Sequence, residues 1–460
     1  MTANSSLTAL SPLDGRYLDK TSPLSPYLSE FALIKTRVEI EATYLVALSE
    51  VGILRELSVE EKRTLLDLGP DLSLQHAERV KEIEKETRHD VKAMEKVFRE
   101  LVDGTSLEDV TEMIHFGLTS EDVNNLSYRL MIRRVTKNVV SPQLMKVLEI
   151  LMSVADEHKA TPMLARTHGQ AAVPTTLGHE FVVFASRLSK ELRLLEGQKL
   201  SGKLSGAVGN FNALQLAYPS TDWIAFSEKY TTSLGLVPNM ATTQINTYED
   251  VISFLQILQR INGILLDFVQ DMWRYISDDW FVQINTHGEV GSSTMPQKIN
   301  PIMFENAEGN LGLSNSMIEF FTRKLPVSRL QRDLSDSTVM RNVGSIFGYS
   351  YLAYTSLIDG MGRVKPNLEK LEAELHSDWS ILSEAAQTIL RRERVNESYT
   401  LLKSLTRGEH IDEKGWKELV EKLPIEEKVK ISLSELTPKT YIGLATQITE
   451  KTLKEIKNNL

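Results

Sequence analysis

From Tyr248 to Asp279 the chain carries no proline and a single glycine, Gly263. Val251, Phe254, Leu255, Leu258, Ile261, Leu265, Phe268 and Met272 recur through it at the three- and four-residue steps of one helical face. The spacing predicts a helix over the whole stretch, roughly 45–50 Å long at 1.5 Å per residue. A stripe of that length is buried only against partners of similar length, which restricts the chain to an elongated bundle. Four further segments supply them. The segment 141–159 opens with Ser141-Pro142 as cap and first helical residue, and Leu144, Val147, Leu148, Leu151 and Ala155 form its apolar face. Others run over 176–198, from Pro301 onward, and over about 337–360. Alternating β patterns are sparse, and the best short extended pieces lie in the glycine-rich stretch 202–210. The reading is an all-α fold.

At 460 residues the chain exceeds what one hydrophobic core usually organises. Residues 1–109 are shorter helices broken at Ser22-Pro23, Ser25-Pro26 and Gly69-Pro70. From 364 the elements shorten again, with turns at Arg407-Gly408, Leu423-Pro424 and Thr437-Pro438. Three domains are expected: 1–109, a central long-helix bundle over 110–363, and 364–460. The apolar stripes of the central helices are wide, as in bundles that pack against further subunits.

Several function classes are excluded. The net charge of −10 is the wrong sign for a nucleic-acid surface, although a cleft can still gather a few cations around a small anion. There are no cysteines, so disulfides, thiolate nucleophiles and cysteine zinc sites are ruled out. His179-Glu180 does not continue into a zinc-binding helix, and the nine histidines are scattered, so no metal site is expected. Gly202, Gly206 and Gly209 have the wrong spacing for a dinucleotide fingerprint, and no phosphate-loop string or serine-hydrolase elbow is present. No cofactor is expected. No uninterrupted apolar run approaches the ~20 residues of a membrane span, and the N-terminus lacks a signal-peptide pattern. A soluble, cytoplasmic protein with no membrane partner is expected.

The most informative string is Gly288–Asn306, GEVGSSTMPQKINPIMFEN. Its glycines and hydroxyls make a polar loop that core packing does not require. Pro301 then marks a helix start, whose N–H groups and dipole suit a carboxylate. In Arg166–Gln170, RTHGQ, His168 lies among small and polar residues in a loop between two helices, and an imidazole there can hand a proton to a leaving nitrogen. Thr87–Asp90, TRHD, and Thr119–Asp122, TSED, read as capping boxes at two helix starts. Arg332 and Arg341 flank a cap at Asp336 or Ser337 and form a candidate phosphate clamp; Arg16-Tyr17 adds a cation and a stacking face.

The string at 291–301 resembles the signature GSSxMPxKxNP of the fumarase/aspartase superfamily at every specified position. Ser11–Tyr17, the TRHD, TSED and RTHGQ strings, Lys324–Asp333 and Asp336–Asn342 are similar to the adenylosuccinate lyase branch. Gln297 departs from it, since that branch often has His there and argininosuccinate lyases commonly have Gln. The resemblance implies a three-domain subunit, a homotetramer with active sites shared between subunits, and fumarate elimination from succinylated purine nucleotides. It makes Ser292 the general base and His168 the general acid; spacing alone does not choose Ser292 over Ser293. Lys298 and Asn300 stabilise the aci-carboxylate, and with Thr119 and Ser120 they hold the succinyl carboxylates. His89, counted with the catalytic group, Asp90 and Gln244 face the base and adjoining groups, and Arg16, Ser337 and Arg341 face the phosphate. Tyr17, Arg88, Ser293, Asn306 and Arg332 complete the expected substrate-binding set.

Overall fold

The computed structural model describes residues 6–284, 294, 295, 297–406 and 411–459. Among them helices dominate, and the strands form three two-stranded pairs. Cα proximity divides the chain into two compact units. The first holds residues up to Gln143, Leu194–Asn262 and Asn310–Ala353; the second holds Leu144–Arg193, Gly263–Gly309 and residues from Tyr354 onward. The cuts near 143, 193, 262, 309 and 353 all fall inside or at the edges of long helices.

The predicted long helix is present as Glu249–Ser277, and every residue of its predicted apolar face is buried. By length and hydropathy it is the one described helix that could cross a membrane, yet more than half of its apolar window is buried inside the protein. That is the signature of a core helix. Each fully buried Leu or Phe along it is worth about 1.5–3 kcal/mol. The helix Leu177–Gly197 matches expectation within one residue at each end, and Ile302–Lys324 begins one residue after the expected start.

Two long segments differ from the expectation. Residues 141–157 are helical, but Ser141 does not start the helix. A helix from Ser120 to Val135 passes through a π-turn at Thr136–Val140 directly into Ser141–Glu157. Pro142 lacks an N–H and crowds the preceding turn, and the wider π-turn accommodates both defects without ending the helix. The 337–360 segment is two helices, Ser335–Met340 and Val343–Met361, broken at Arg341-Asn342.

In the first unit, the Glu30–Glu50 helix packs against Ser120–Val135 and the Leu74–Thr87/Asp90–Val102 pair. Ile34, Val38, Val80, Ile83, Met94 and Val97 form one of its cores. Tyr44, Phe226 and Tyr230 form an aromatic cluster beside it, with Tyr44 edge-on to both partners. A polar knot is fully buried in the same unit: Asn262 Nδ2 donates to Ser314 Oγ at 3.3 Å and to Ser350 Oγ at 3.0 Å. These partners fix the register of three helices, because an unpaired amide there would cost about 1–3 kcal/mol.

In the second unit, Phe181, Phe184 and Phe268 interlock edge to face. Trp379, Leu382, Leu390, Trp416 and Leu433 build the core of the C-terminal segment, where Trp416 Nε1 donates to the Leu433 carbonyl at 3.0 Å. Strand Phe281–Gln283 pairs antiparallel with Val364–Pro366. The glycine-rich stretch yields one short strand, Ser201–Gly202, parallel to Val237–Pro238.

Candidate active site

His168 does not sit in an irregular loop. It is at the tip of a β-hairpin formed by Pro162–Thr167 and Gln170–Thr176, with Thr167 facing Gln170 across the turn. His168 and Gly169 both have positive φ, 53° and 74°, as a tight two-residue hairpin turn requires. Glycine is at ease there; the histidine is held in a sparsely populated conformation, exposed and clear of both strands. Pro174 and a register shift between Leu164 and Arg166 hide this hairpin from a period-two reading. The strand that leads into this turn is pinned within the same unit. Arg166 lies over the Trp280 ring at 5.5 Å and donates to Glu374 at 3.3 Å, while Trp280 Nε1 donates to Glu374 at 2.9 Å.

Ser292 and Ser293 lie outside the described residues. Lys298 is exposed and Asn300 half-buried, just before the 302–324 helix. The Pro301 carbonyl accepts the Phe304 N–H at 3.0 Å, so Pro301 stands immediately before that helix. Gln283 Nε2 donates to the Ile299 carbonyl at 2.7 Å, and Asn306 Oδ1 accepts the Ser356 hydroxyl at 2.7 Å.

In the first unit, TRHD is a corner between two helices rather than a capping box led by Thr87. The 74–87 helix ends with Arg88 in the left-handed region, its N–H donating to the Glu84 carbonyl at 2.7 Å. His89 is the cap of the next helix, its Nδ1 accepting the Lys92 N–H at 3.2 Å while half of the side chain stays exposed. Asp90 Oδ2 accepts from both Arg37 at 2.8 Å and Arg341 at 2.9 Å. Burial opposes the carboxylate, but these guanidiniums, with the Val91 N–H, lower its pKa to about 2. Arg37 is itself buried and held by Asn124 Oδ1 at 2.9 Å.

TSED does close reciprocally. The Thr119 N–H donates to Asp122 Oδ2 at 2.8 Å, and the Asp122 N–H returns to the Thr119 carbonyl at 2.9 Å. Ser120 opens the helix. Gln244 Nε2 donates to the Ala207 carbonyl at 3.0 Å.

Arg332 and Arg341 do not form one clamp. Arg332 Nη1 donates to buried Glu121 at 2.9 Å, whereas Arg341 reaches Asp90. Burial raises the Glu121 pKa despite Arg332. Neither Asp336 nor Ser337 caps the helix at 335: Leu334 holds the cap position, and the Asp333 carboxylate takes the Ser335 N–H and hydroxyl. Asp336 is buried and accepts the Tyr248 hydroxyl at 2.8 Å; Ser337 is half-buried, its N–H donating to Asp336 Oδ1 at 2.7 Å. Arg341, nearly half exposed, borders a polar cleft lined also by Ser25, Ser29, Gly344 and Ser345. Arg16 is exposed and lies 5.8 Å from the Tyr17 ring centre, within a turn closed by the Tyr17 N–H on the Pro12 carbonyl at 2.9 Å.

Motif reading overlooks several side chains around these segments: Arg37, Lys203 and His115, which bond to them or beside them, and the hydroxyls that line the cleft beside Arg341. His115 Nδ1 lies 2.5 Å from Glu41 Oε1, and its backbone N–H donates to the other oxygen at 3.0 Å. Burial works against the imidazolium, but Glu41 raises its pKa above the ordinary value. Only Lys203, a lone charge among small residues, leaves a trace in the sequence. Among the described residues no group of three or more metal-ligating side chains occurs.

Residues 15–313 match the Lyase family, and residues 328–442 match the adenylosuccinate lyase C-terminal family. The fold is similar to that of a fumarate lyase from Mesorhizobium sp. BNC1, with a TM-score of 0.76 at 18% identity over 95% of this chain and 97% of that one. It is similar also to the 3-carboxy-cis,cis-muconate lactonizing enzyme of Pseudomonas putida, with a TM-score of 0.74 at 16% identity over 95% and 97%. Fold and family match together define an all-α lyase of the fumarase/aspartase superfamily.

The branch follows from closer relatives. The chain is 44% identical to the adenylosuccinate lyase of Haemophilus influenzae over 97% of its own length and 99% of that protein's. It is 43% identical to that of Escherichia coli K12 over 97% and 99%, and 44% identical to that of Dictyostelium discoideum over 95% and 97%. The chain belongs to the adenylosuccinate lyase family.

Proposed function

We propose that this enzyme eliminates fumarate from adenylosuccinate to give AMP, and from the succinylated aminoimidazole carboxamide ribonucleotide to give AICAR, as steps of purine nucleotide biosynthesis. The observation that carries the reading is the 43–45% identity, over nearly the whole chain, to curated adenylosuccinate lyases.

In the proposed chemistry Ser292 removes a proton from the carbon next to a carboxylate, the C–N bond breaks, and His168 protonates the departing nitrogen. The barrier is the doubly charged aci-carboxylate, and a well-placed donor contributes about 3–4 kcal/mol to its stabilisation. Lys298, Asn300 and the helix start beside Pro301 take that part. An unperturbed serine hydroxyl is too weak a base, so the same positive field must also stabilise its alkoxide. Thr119 and Ser120 are assigned to the succinyl carboxylates, and His89, Arg88, Asp90 and Gln244 to the base and adjoining groups. Arg16, Tyr17, Ser337 and Arg341 are assigned to the nucleotide phosphate; the hydroxyl-lined cleft beside Arg341 supports that part. Ser293, Asn306 and Arg332 stay in the proposed substrate-binding set, Arg332 acting through Glu121.

The proposal extends to a cytoplasmic homotetramer of three-domain subunits, divided near residues 110 and 363, with shared active sites and no cofactor, metal, nucleic-acid or membrane partner. Exposed Val183, Leu194, Trp273, Leu313 and Phe320 on the long helices support the assembly. Ultraviolet assays of the purified protein with adenylosuccinate and argininosuccinate test the reading: cleavage of the first alone is expected, and cleavage of the second alone would overturn it.

A further inference from the structure

Segments assigned above to the substrate converge on one buried ion pair. Lys203 and Asp122 are both fully buried, and Lys203 Nζ donates to Asp122 Oδ1 at 2.7 Å and to the Gly206 carbonyl at 2.7 Å. Asp122 Oδ1 also accepts the Ser205 N–H at 2.9 Å, while Oδ2 accepts the Gly206 N–H at 3.1 Å and the Thr119 N–H at 2.8 Å. One carboxylate therefore ties the helix start at Thr119-Ser120 to the 203–206 loop. Asn125 clamps the root of that loop, its Oδ1 accepting the Lys203 N–H and its Nδ2 donating to the Lys203 carbonyl, both at 2.9 Å. Further along, the Ala207 carbonyl accepts from Gln244. At Gly209, φ is +85° and an added Cβ would lie 2.3 Å from the Thr242 carbonyl oxygen, so the loop is pressed against the strand of chain that leads to Gln244.

A fully desolvated ion pair adds little net stability compared with apolar residues of the same volume. What this pair does is hold three chain segments in one geometry. We infer that Lys203 is a positioning residue: through Asp122 it fixes the Thr119-Ser120 helix start and the loop that seats Gln244, so that the carboxylate-binding and base-facing groups are pre-arranged before substrate arrives. This rests on the function proposed above. Because pre-arranged binding is lost equally from ground and transition states, removing the pair moves KM more than kcat.

The test uses full-length Lys203→Met, Asp122→Asn and the double variant, which leaves no unpaired charge in the core and is the one best able to fold. For each folded variant, KM for adenylosuccinate should rise about tenfold, the scale of a lost hydrogen bond to a charged group. The inhibition constants of fumarate and of AMP rise in step, because carboxylate-binding and base-facing groups are displaced together, and kcat moves less. The double variant is no worse than the single ones, since both act through one pair. Lowered melting temperature with unchanged KM and fumarate inhibition would overturn the inference while the proposed activity stands. Failure of all three variants to fold would assign the pair to stability and overturn it too. Absence of cleavage by the unmodified protein would overturn the function and this inference together.

Discussion

At the scale of single residues, the hairpin turn decides which substitution tests His168 cleanly. Asparagine tolerates the left-handed region that the turn imposes, whereas alanine adds strain of about 1 kcal/mol. His168→Asn should therefore melt within a few degrees of the parent while turnover falls by about 10²–10⁴, the contribution of a general acid. Ser292→Ala should lose turnover as completely. Near-normal fumarate release by either variant would remove that residue from its proposed role. His115 carries a different signature. Its folded pKa is raised by Glu41, so its contribution to stability is full below the unfolded value near 6.5 and is lost as pH rises through the folded one. Unfolding free energies of the parent and of His115→Gln, measured from pH 5 to 9, should differ most at the acid end; a gap that widens with pH would contradict the pairing. Motif spacing pointed to Thr119, Asp90 and Arg341 as separate groups. It could not reveal that Arg37 and Arg341 share Asp90, because those residues come from three distant stretches of chain.

At the scale of elements, legibility followed length. The 249–277 helix was readable because many turns repeat one apolar face, and all the named residues are buried. The 162–176 hairpin was not, since six or seven residues broken by Pro174 and a register shift carry too little period-two signal. Ser141-Pro142 misled for a local reason: a π-turn lets the helix absorb a proline that ordinarily starts one. The 249–277 helix also carries a testable liability. Burial first, then Asp267 and Glu180, push the Asp271 carboxyl up to about 6. Between about pH 4 and 6 the folded state holds the extra proton, so stability falls as pH rises through that window. Asp271→Asn should stabilise the protein at pH 7 by about 1–3 kcal/mol, less where solvent screens the site, and by nothing below pH 4. Denaturant titrations at the two pH values give the comparison, and an equal gain at both would contradict the assignment.

At the scale of the molecule, the long helices, the family match and the near-full-length relatives all point to one architecture, but the proposed assembly makes its own demand. If His168 and Ser292 of one active site come from different subunits of a tetramer, mixing two inactive proteins, His168→Asn and Ser292→Ala, should restore up to about a quarter of the parent activity after subunit exchange. No recovery on mixing would mean that each site is built within one chain. Light scattering on the parent should meanwhile give the mass of four chains. The most direct measurement is simpler. Purified protein is incubated with adenylosuccinate in metal-free buffer, and AMP and fumarate are quantified together. Equal amounts of the two, formed with no added cofactor, are the predicted result; intact adenylosuccinate, or AMP without matching fumarate, would contradict the proposed elimination.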